Sequence, residues 1–401
     1  MNNMTVRCLV LFILFSAAFP VFSQVAVRMP GQQWWLTLEQ GKQRFRSGQY
    51  GEALMLFEDA RRSRRAMYEQ MERDFINFLS LPEVRRFGDS LDWIVRFANE
   101  RYFTAAAAAL NELFHRVPRA SLNNSAAAAL DAINRLQNYP EAEYWIGEVH
   151  RAEGEFTLAL MQFRRAYEMR DLAANPGFGI DLLYKMAEIH LVRREYTEME
   201  RVLHSIISGY DILWNDASQG DIARIQTAGV QGALPIPFAL ASASFAVQAM
   251  NRTLENEGIN RFLEFHRYDN AIVEPAHRRL GFFYALTGRP GAQQHLTFAF
   301  LIQNTIIINE IRRLDFDFRF TNLPNLALEI RQNAALALYV QEVEYFKTAY
   351  YLAASLFRNR NTEVANSLWS FLAVLPEAGE WQRRAISQLR NPRLEPLVEM
   401  P

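Results

Sequence analysis

The chain has 401 residues, with 43 Lys+Arg against 44 Asp+Glu and a single Cys. Half of the residues are hydrophobic and 13% are aromatic, which excludes a disordered chain. A formal charge of −1 argues against a general nucleic-acid binder, and one cysteine excludes a disulfide scaffold and any cysteine-based zinc site.

Residues 1–23 read as a secretory signal. Arg7 supplies the positive n-region, and Cys8 to Phe19 is an apolar run too short to span a hydrocarbon core of roughly 30 Å as a helix. Pro20 breaks that run. Val21 and Ser23 suit the positions before a cleavage between Ser23 and Gln24. The expected product is therefore exported, periplasmic or secreted, soluble, free of cysteine and without a membrane span after cleavage.

Beyond the signal the pattern is helical. Leu54, Phe57, Ala60 and Arg61 follow helical spacing inside a long helix expected from Glu52 to about Leu79. A further helix is expected over Ser125–Asn138, with Ser125 as N-cap and Pro140 ending it. Glycines and prolines crowd into 209–237, which reads as a long loop or as a junction between two helical arrays, 24–208 and 238–401. The alternating stretch Asp315–Phe320 is too short for a convincing strand and reads as a loop or short extended segment.

The chain is self-similar. In Gly147–Ala166, small residues stand at 147, 154, 159 and 166 and large ones at 146, 156 and 163. The same frame takes in Gly41, Gly48, Tyr50, Ala53, Phe57 and Ala60. It fits Ala187, Tyr196, Met199, Leu203 and Ile206 more loosely. It also fits Leu280, Gly281, Tyr284 and Gly288, where Pro290 replaces the turn aromatic and Gln293 the alanine. Degenerate copies run through Phe97, Phe103, Ala106, Leu110 and Leu113, and through Ala353, Leu356, Ala365, Trp369 and Leu372. Two antiparallel helices approach closely only where facing residues are small, and the turn between them needs positive φ, which glycine adopts freely.

This pattern resembles the tetratricopeptide repeat. The resemblance implies an all-α fold, a right-handed superhelical solenoid of helical hairpins. Irregular helices between repeats account for the uneven spacing of the frames. It further implies a non-catalytic scaffold or adaptor that holds a partner protein or peptide of the bacterial cell envelope in the concave groove lined by the first helix of each hairpin. By that resemblance the groove residues are Glu39, Lys42, Tyr144, Glu148, Arg151, Tyr184, Lys185, Glu188, Arg278, Arg279 and Phe282. The carboxylate clamp of the chaperone-binding members is not matched, because Lys42 is present without the asparagines.

No catalytic residue, metal ligand set or cofactor is expected. The seven histidines show no metal-binding spacing, and His150 and His190 take positions where the repeat packs a large side chain. Arg61, Arg62, Arg64 and Arg65 form the densest basic patch. It reads as a solvated helix face near Glu58, Asp59 and Glu69, with docking to an acidic partner or anionic headgroups as the other reading. Two alternatives to the scaffold stay open. One is a small-ligand carrier or transporter accessory, marked by a closed cavity. The other is a helical cell-wall enzyme, marked by facing buried carboxylates.

Overall fold

The computed structural model describes residues 34–82, 125–210 and 236–398, with side chains from residue 127 in the second stretch and from residue 247 in the third. Every regular element among them is helical. The signal segment, the degenerate copy around 97–113 and most of 209–237 lie outside the described residues. The chain divides into two compact units between Val149 and His150.

In the first unit, α1 (Trp34–Arg46) and α2 (Tyr50–Leu79) form an antiparallel pair, and α3 (Ser125–Leu136) packs on α2. The long second helix matches expectation. The next helix, α4 (Pro140–Ala152), opens on Pro140, which stands in the first turn where its missing N–H costs nothing. The α1–α2 pair explains its glycine. A Cβ on Gly41 would meet the Phe57 ring at 2.5 Å, so the facing position must be bare for that ring to lie flat between the helices. Phe57, Ala53 and Ala60 are buried with Leu38, Tyr139, Ala142, Ile146 and Val149, and Trp145 stacks on Phe57 at 5.8 Å.

The second unit continues with α5 (Phe156–Glu168), α6 (Phe178–Val192), α7 (Tyr196–Tyr210), α8 (Ile236–Phe265, broken at Gly258), α9 (Glu274–Thr287) and α10 (Ala292–Leu314). Then follow α11 (Leu323–Gln332), α12 (Ala334–Glu342), α13 (Tyr345–Arg358), α14 (Thr362–Ala373) and α15 (Glu380–Arg390). The helices pack in neighbouring pairs, α6 on α7, α9 on α10 and α13 on α14, and adjacent pairs meet through α7–α9, α9–α13 and α10–α13. Helix α10 is buried almost all round, including Phe298, Phe300, Ile302, Ile307 and Ile308, and forms the centre of this unit. Asp315–Phe320 is turn and coil, as its length led us to expect.

One turn recurs through both units. In each hairpin the residue two places before the second helix lies at positive φ: Gly48 at 76°, Gly154 at 82°, Arg194 at 60° and Arg360 at 67°. The next residue donates its N–H back five residues, Gln49 to Arg44 O at 3.0 Å, Glu155 to His150 O at 2.8 Å, Glu195 to His190 O at 2.8 Å and Asn361 to Leu356 O at 2.9 Å. This is a left-handed helix cap that satisfies the last carbonyls of the first helix. The α9–α10 connection closes in the same way, with Arg289 N–H bonded to Tyr284 O at 3.0 Å, and holds Gly288 and Gly291 at positive φ.

Candidate functional site

The first helices of successive hairpins in the second unit, α6, α9 and α13, carry a row of charged and aromatic side chains. Tyr184 on α6 donates its hydroxyl to Ile272 O at 2.6 Å and accepts from Ala276 N–H at 3.2 Å, which ties α6 to the start of α9. Burial pushes its phenol well up. The Arg279 guanidinium lies 5.4 Å from the centre of that ring. Arg278 bonds Glu274 at 2.9 Å and Glu344 at 2.5 Å, and Glu344 takes Lys347 at 2.7 Å. Lys347 in turn stands 4.4 Å over the Phe282 ring, which meets Tyr351 edge-on at 5.7 Å. Lys185 is half-buried and Glu188 exposed on α6.

The expected residues of this unit fall into distinct roles. Arg278 and Phe282 are linked through Glu344 and Lys347, while Arg279 pairs separately with the Tyr184 ring, and Phe282 is only 8% exposed, its ring face receiving the lysine. Glu274 is buried beneath Arg278 and also accepts from Gln303 at 2.6 Å. Burial raises its carboxyl, against the pull of Arg278. Arg278 stands between Glu274 and Glu344, so this carboxylate pair is bridged by a cation, unlike a pair that faces across a cleft.

In the first unit, Lys42 pairs with Glu39 at 2.6 Å and reaches over the Trp145 ring at 5.7 Å, and Tyr144 meets Trp145 edge-on at 5.3 Å. Glu148 is 4% exposed and therefore belongs to the interior, not to an open wall. Arg151, on the other side of the unit division, is half-buried. The basic patch splits by helical phase. Arg61 bonds buried Glu143 at 3.1 Å, and Arg64 donates to Leu136 O at 2.9 Å while lying 4.5 Å over Tyr139. Arg62 and Arg65 point outward and pair with Asp59 and Glu69 on their own helix. Two of the four arginines thus hold α2 against its neighbours.

Sequence reasoning missed two groups. His150 bonds Glu155 at 2.9 Å and His190 bonds Glu195 at 2.6 Å, the same pair at the same turn of two hairpins. Glu153 also lies beside the first pair, and those three ligand atoms come within 4.8 Å of one another. The bond recurs from His190, in the last turn of α6, across the hairpin turn to Glu195, and so belongs to turn closure. An identical His–Glu spacing in both copies was the available sign.

The second group joins three helices. His204 on α7, His277 on α9 and His295 on α10 cluster with Tyr284. His277 Nδ1 and His295 Nδ1 are 3.1 Å apart, so one is a protonated donor and the other a bare acceptor. His204 Nε2 lies 3.0 Å from the Tyr284 hydroxyl, which donates to Glu200 at 3.2 Å, and Glu200 also binds Arg289. His277 stacks on Phe298 at 4.9 Å. Burial, with His277 and His204 adding to it, drives the His295 basicity far below the usual histidine range. Burial, together with Glu200, pushes Tyr284 up to about 12. No local spacing links residues 204, 277 and 295, so no motif could announce them.

No family model matches the chain. It is similar to an uncharacterized protein of Treponema pallidum (strain Nichols), with 22% identity over 385 residues, 94% of this chain and 96% of that protein. None of the described helices is long and apolar enough to cross a membrane.

Proposed function

We propose that the chain is a non-catalytic interaction scaffold built from tetratricopeptide-like hairpins. It is exported to the bacterial envelope, where it holds a partner protein or extended peptide against the first helices of those hairpins. The recurring turn supports the repeat reading, because five connections close with the same five-residue hydrogen bond. The observation that carries the binding reading is the row Tyr184, Arg279, Arg278, Glu344, Lys347 and Phe282 on α6, α9 and α13. Such a row offers mixed charge for orientation, with Lys347 and Arg279 held over the Phe282 and Tyr184 rings. Its side chains are already held by one another, so little conformational entropy remains to be lost on binding.

The test is site-specific photo-crosslinking in cells. A crosslinking residue at Lys347 or Lys185 should capture one partner that is not captured from Arg201, an exposed position on the second helix α7. The double variant Arg151→Glu, Lys185→Glu should reduce that capture. Equal capture from Lys347 and Arg201 would remove the proposal.

A further inference from the structure

Segment Asn391–Val398 follows α15 without regular structure and lies against α9, α13 and α15. Its contacts are polar and read both main chain and side chain. Arg393 N–H donates to Gln388 Oε1 at 2.8 Å, Arg358 reaches Glu395 O at 3.3 Å, and Val398 N–H donates to Leu286 O at 2.8 Å. The Glu395 carboxylate is the anchor. It takes Arg384 at 2.5 Å, Gln388 at 2.9 Å and the Tyr350 hydroxyl, and only 10% of its side chain is exposed. Arg384 is itself held by three rings, Tyr350 at 4.6 Å, Trp381 at 5.0 Å and Tyr351 at 5.6 Å. Stacked in this way the guanidinium is pre-organised to receive a carboxylate.

The apolar side chains tell a different story. Leu394, Leu397 and Val398 are 63%, 53% and 57% exposed. A strap that served only stability would bury them. Here hydrophobic burial holds the segment weakly, and the carboxylate and three main-chain bonds hold it in an extended form. Gly288 completes the seat, since a Cβ there would come within 2.9 Å of Leu397. Space also remains on both sides of Glu395. A cavity of about 60 Å³ lies toward Ala285 and Arg358, and one of about 240 Å³ lies between Arg384, Asn391 and Pro396.

We infer that the Arg384 cage is a receptor for an extended acidic peptide of the type Leu-Glu-Pro-Leu, which residues 394–397 occupy in cis. A partner segment of the same chemistry displaces them. The inference does not rest on the scaffold row of α6, α9 and α13: the two share only Tyr351, which touches Phe282 on one side and Arg384 on the other, and the carboxylate seat is made by Arg384, Gln388 and Tyr350.

The test uses the full chain and a fluorescent peptide of residues 391–398, NPRLEPLV. Wild type should bind it poorly, since the tethered copy competes at high effective concentration. Glu395→Ala should bind it about tenfold more tightly than wild type. Glu395→Gln, which keeps the shape and removes the charge, should also gain affinity and carries the comparison if the alanine variant fails to fold. A peptide with glutamine in place of its glutamate should lose about tenfold, and Arg384→Gln in the Glu395→Gln background should abolish binding. Equal binding by wild type and both variants overturns the inference. So does equal binding of the two peptides, or a wild-type dimer held by exchanged segments.

Discussion

At the scale of single residues, His295 has the sharpest consequence. It is 2% exposed and shares a hydrogen bond with His277, and its environment opposes protonation. Glu200 is the carboxylate in the group around it, but Glu200 is held by Tyr284 and Arg289. A base whose folded pKa is depressed stays neutral while the unfolded chain takes up a proton near 6.5. Stability is then complete above about pH 6.5 and falls as pH drops below it, with a limiting slope of about 1.4 kcal/mol per pH unit for each such histidine. His295→Asn, which can keep one hydrogen bond to His277, should flatten this fall. Urea midpoints of wild type and variant, compared from pH 7.5 to pH 5.5, should converge as the pH is lowered. Parallel curves would show that His295 is not the responsible group. Glu148 and Phe282 illustrate why site residues are harder to read than folds. Each occupies the helix face that the repeat frame assigns to a groove, and each is buried.

At the scale of the element, the hairpin turn separates what the sequence discloses from what it conceals. Around 41–60 and 147–166 the turn glycine, the small facing residues and the aromatic all stand in view, so the helical pair and its connection are legible. At Arg194 and Arg360 the same backbone is imposed by the closing hydrogen bonds, and the residue gives no hint of it. A non-glycine residue at that φ costs roughly 1–2 kcal/mol. Arg194→Gly should therefore raise stability by about 0.5–1 kcal/mol, after allowance for the greater freedom of glycine in the unfolded chain. The reciprocal change at Gly154, where a Cβ meets nothing within 4 Å, should cost about 1 kcal/mol through backbone strain alone. Urea midpoints at constant slope would measure both. Glu344, Lys347 and Tyr351 escaped the sequence reading for a related reason. The repeat frame is readable only from Ala353 onward in α13, and the residues of the proposed site precede it.

At the scale of the whole molecule, helix content and pairing were legible because amphipathic periodicity survives even where the repeat consensus decays. The proposed site is less so. It assembles from helices separated by more than a hundred residues, and only some of its members lie at consensus positions. The proposed export rests on the first 23 residues and is tested apart from the fold. If the signal reading holds, the mature protein recovered from the envelope begins at Gln24, and N-terminal sequencing would find that residue. Replacement of Leu14, in the middle of the apolar run, by arginine should leave the precursor in the cytoplasm. A start at Met1 in the envelope fraction would contradict cleavage.

The five-residue hydrogen bond that closes five of the described connections has a consequence for how such a chain can change length. Each closure is made by atoms only a few positions apart, and it borrows nothing from the neighbouring pair. Loss or gain of an entire helical pair therefore leaves the remaining connections chemically intact, while removal of half a pair strands an uncapped end and a bare apolar face. On the proposed repeat reading, homologous chains should differ by whole helical pairs, with breakpoints between pairs and seldom inside them.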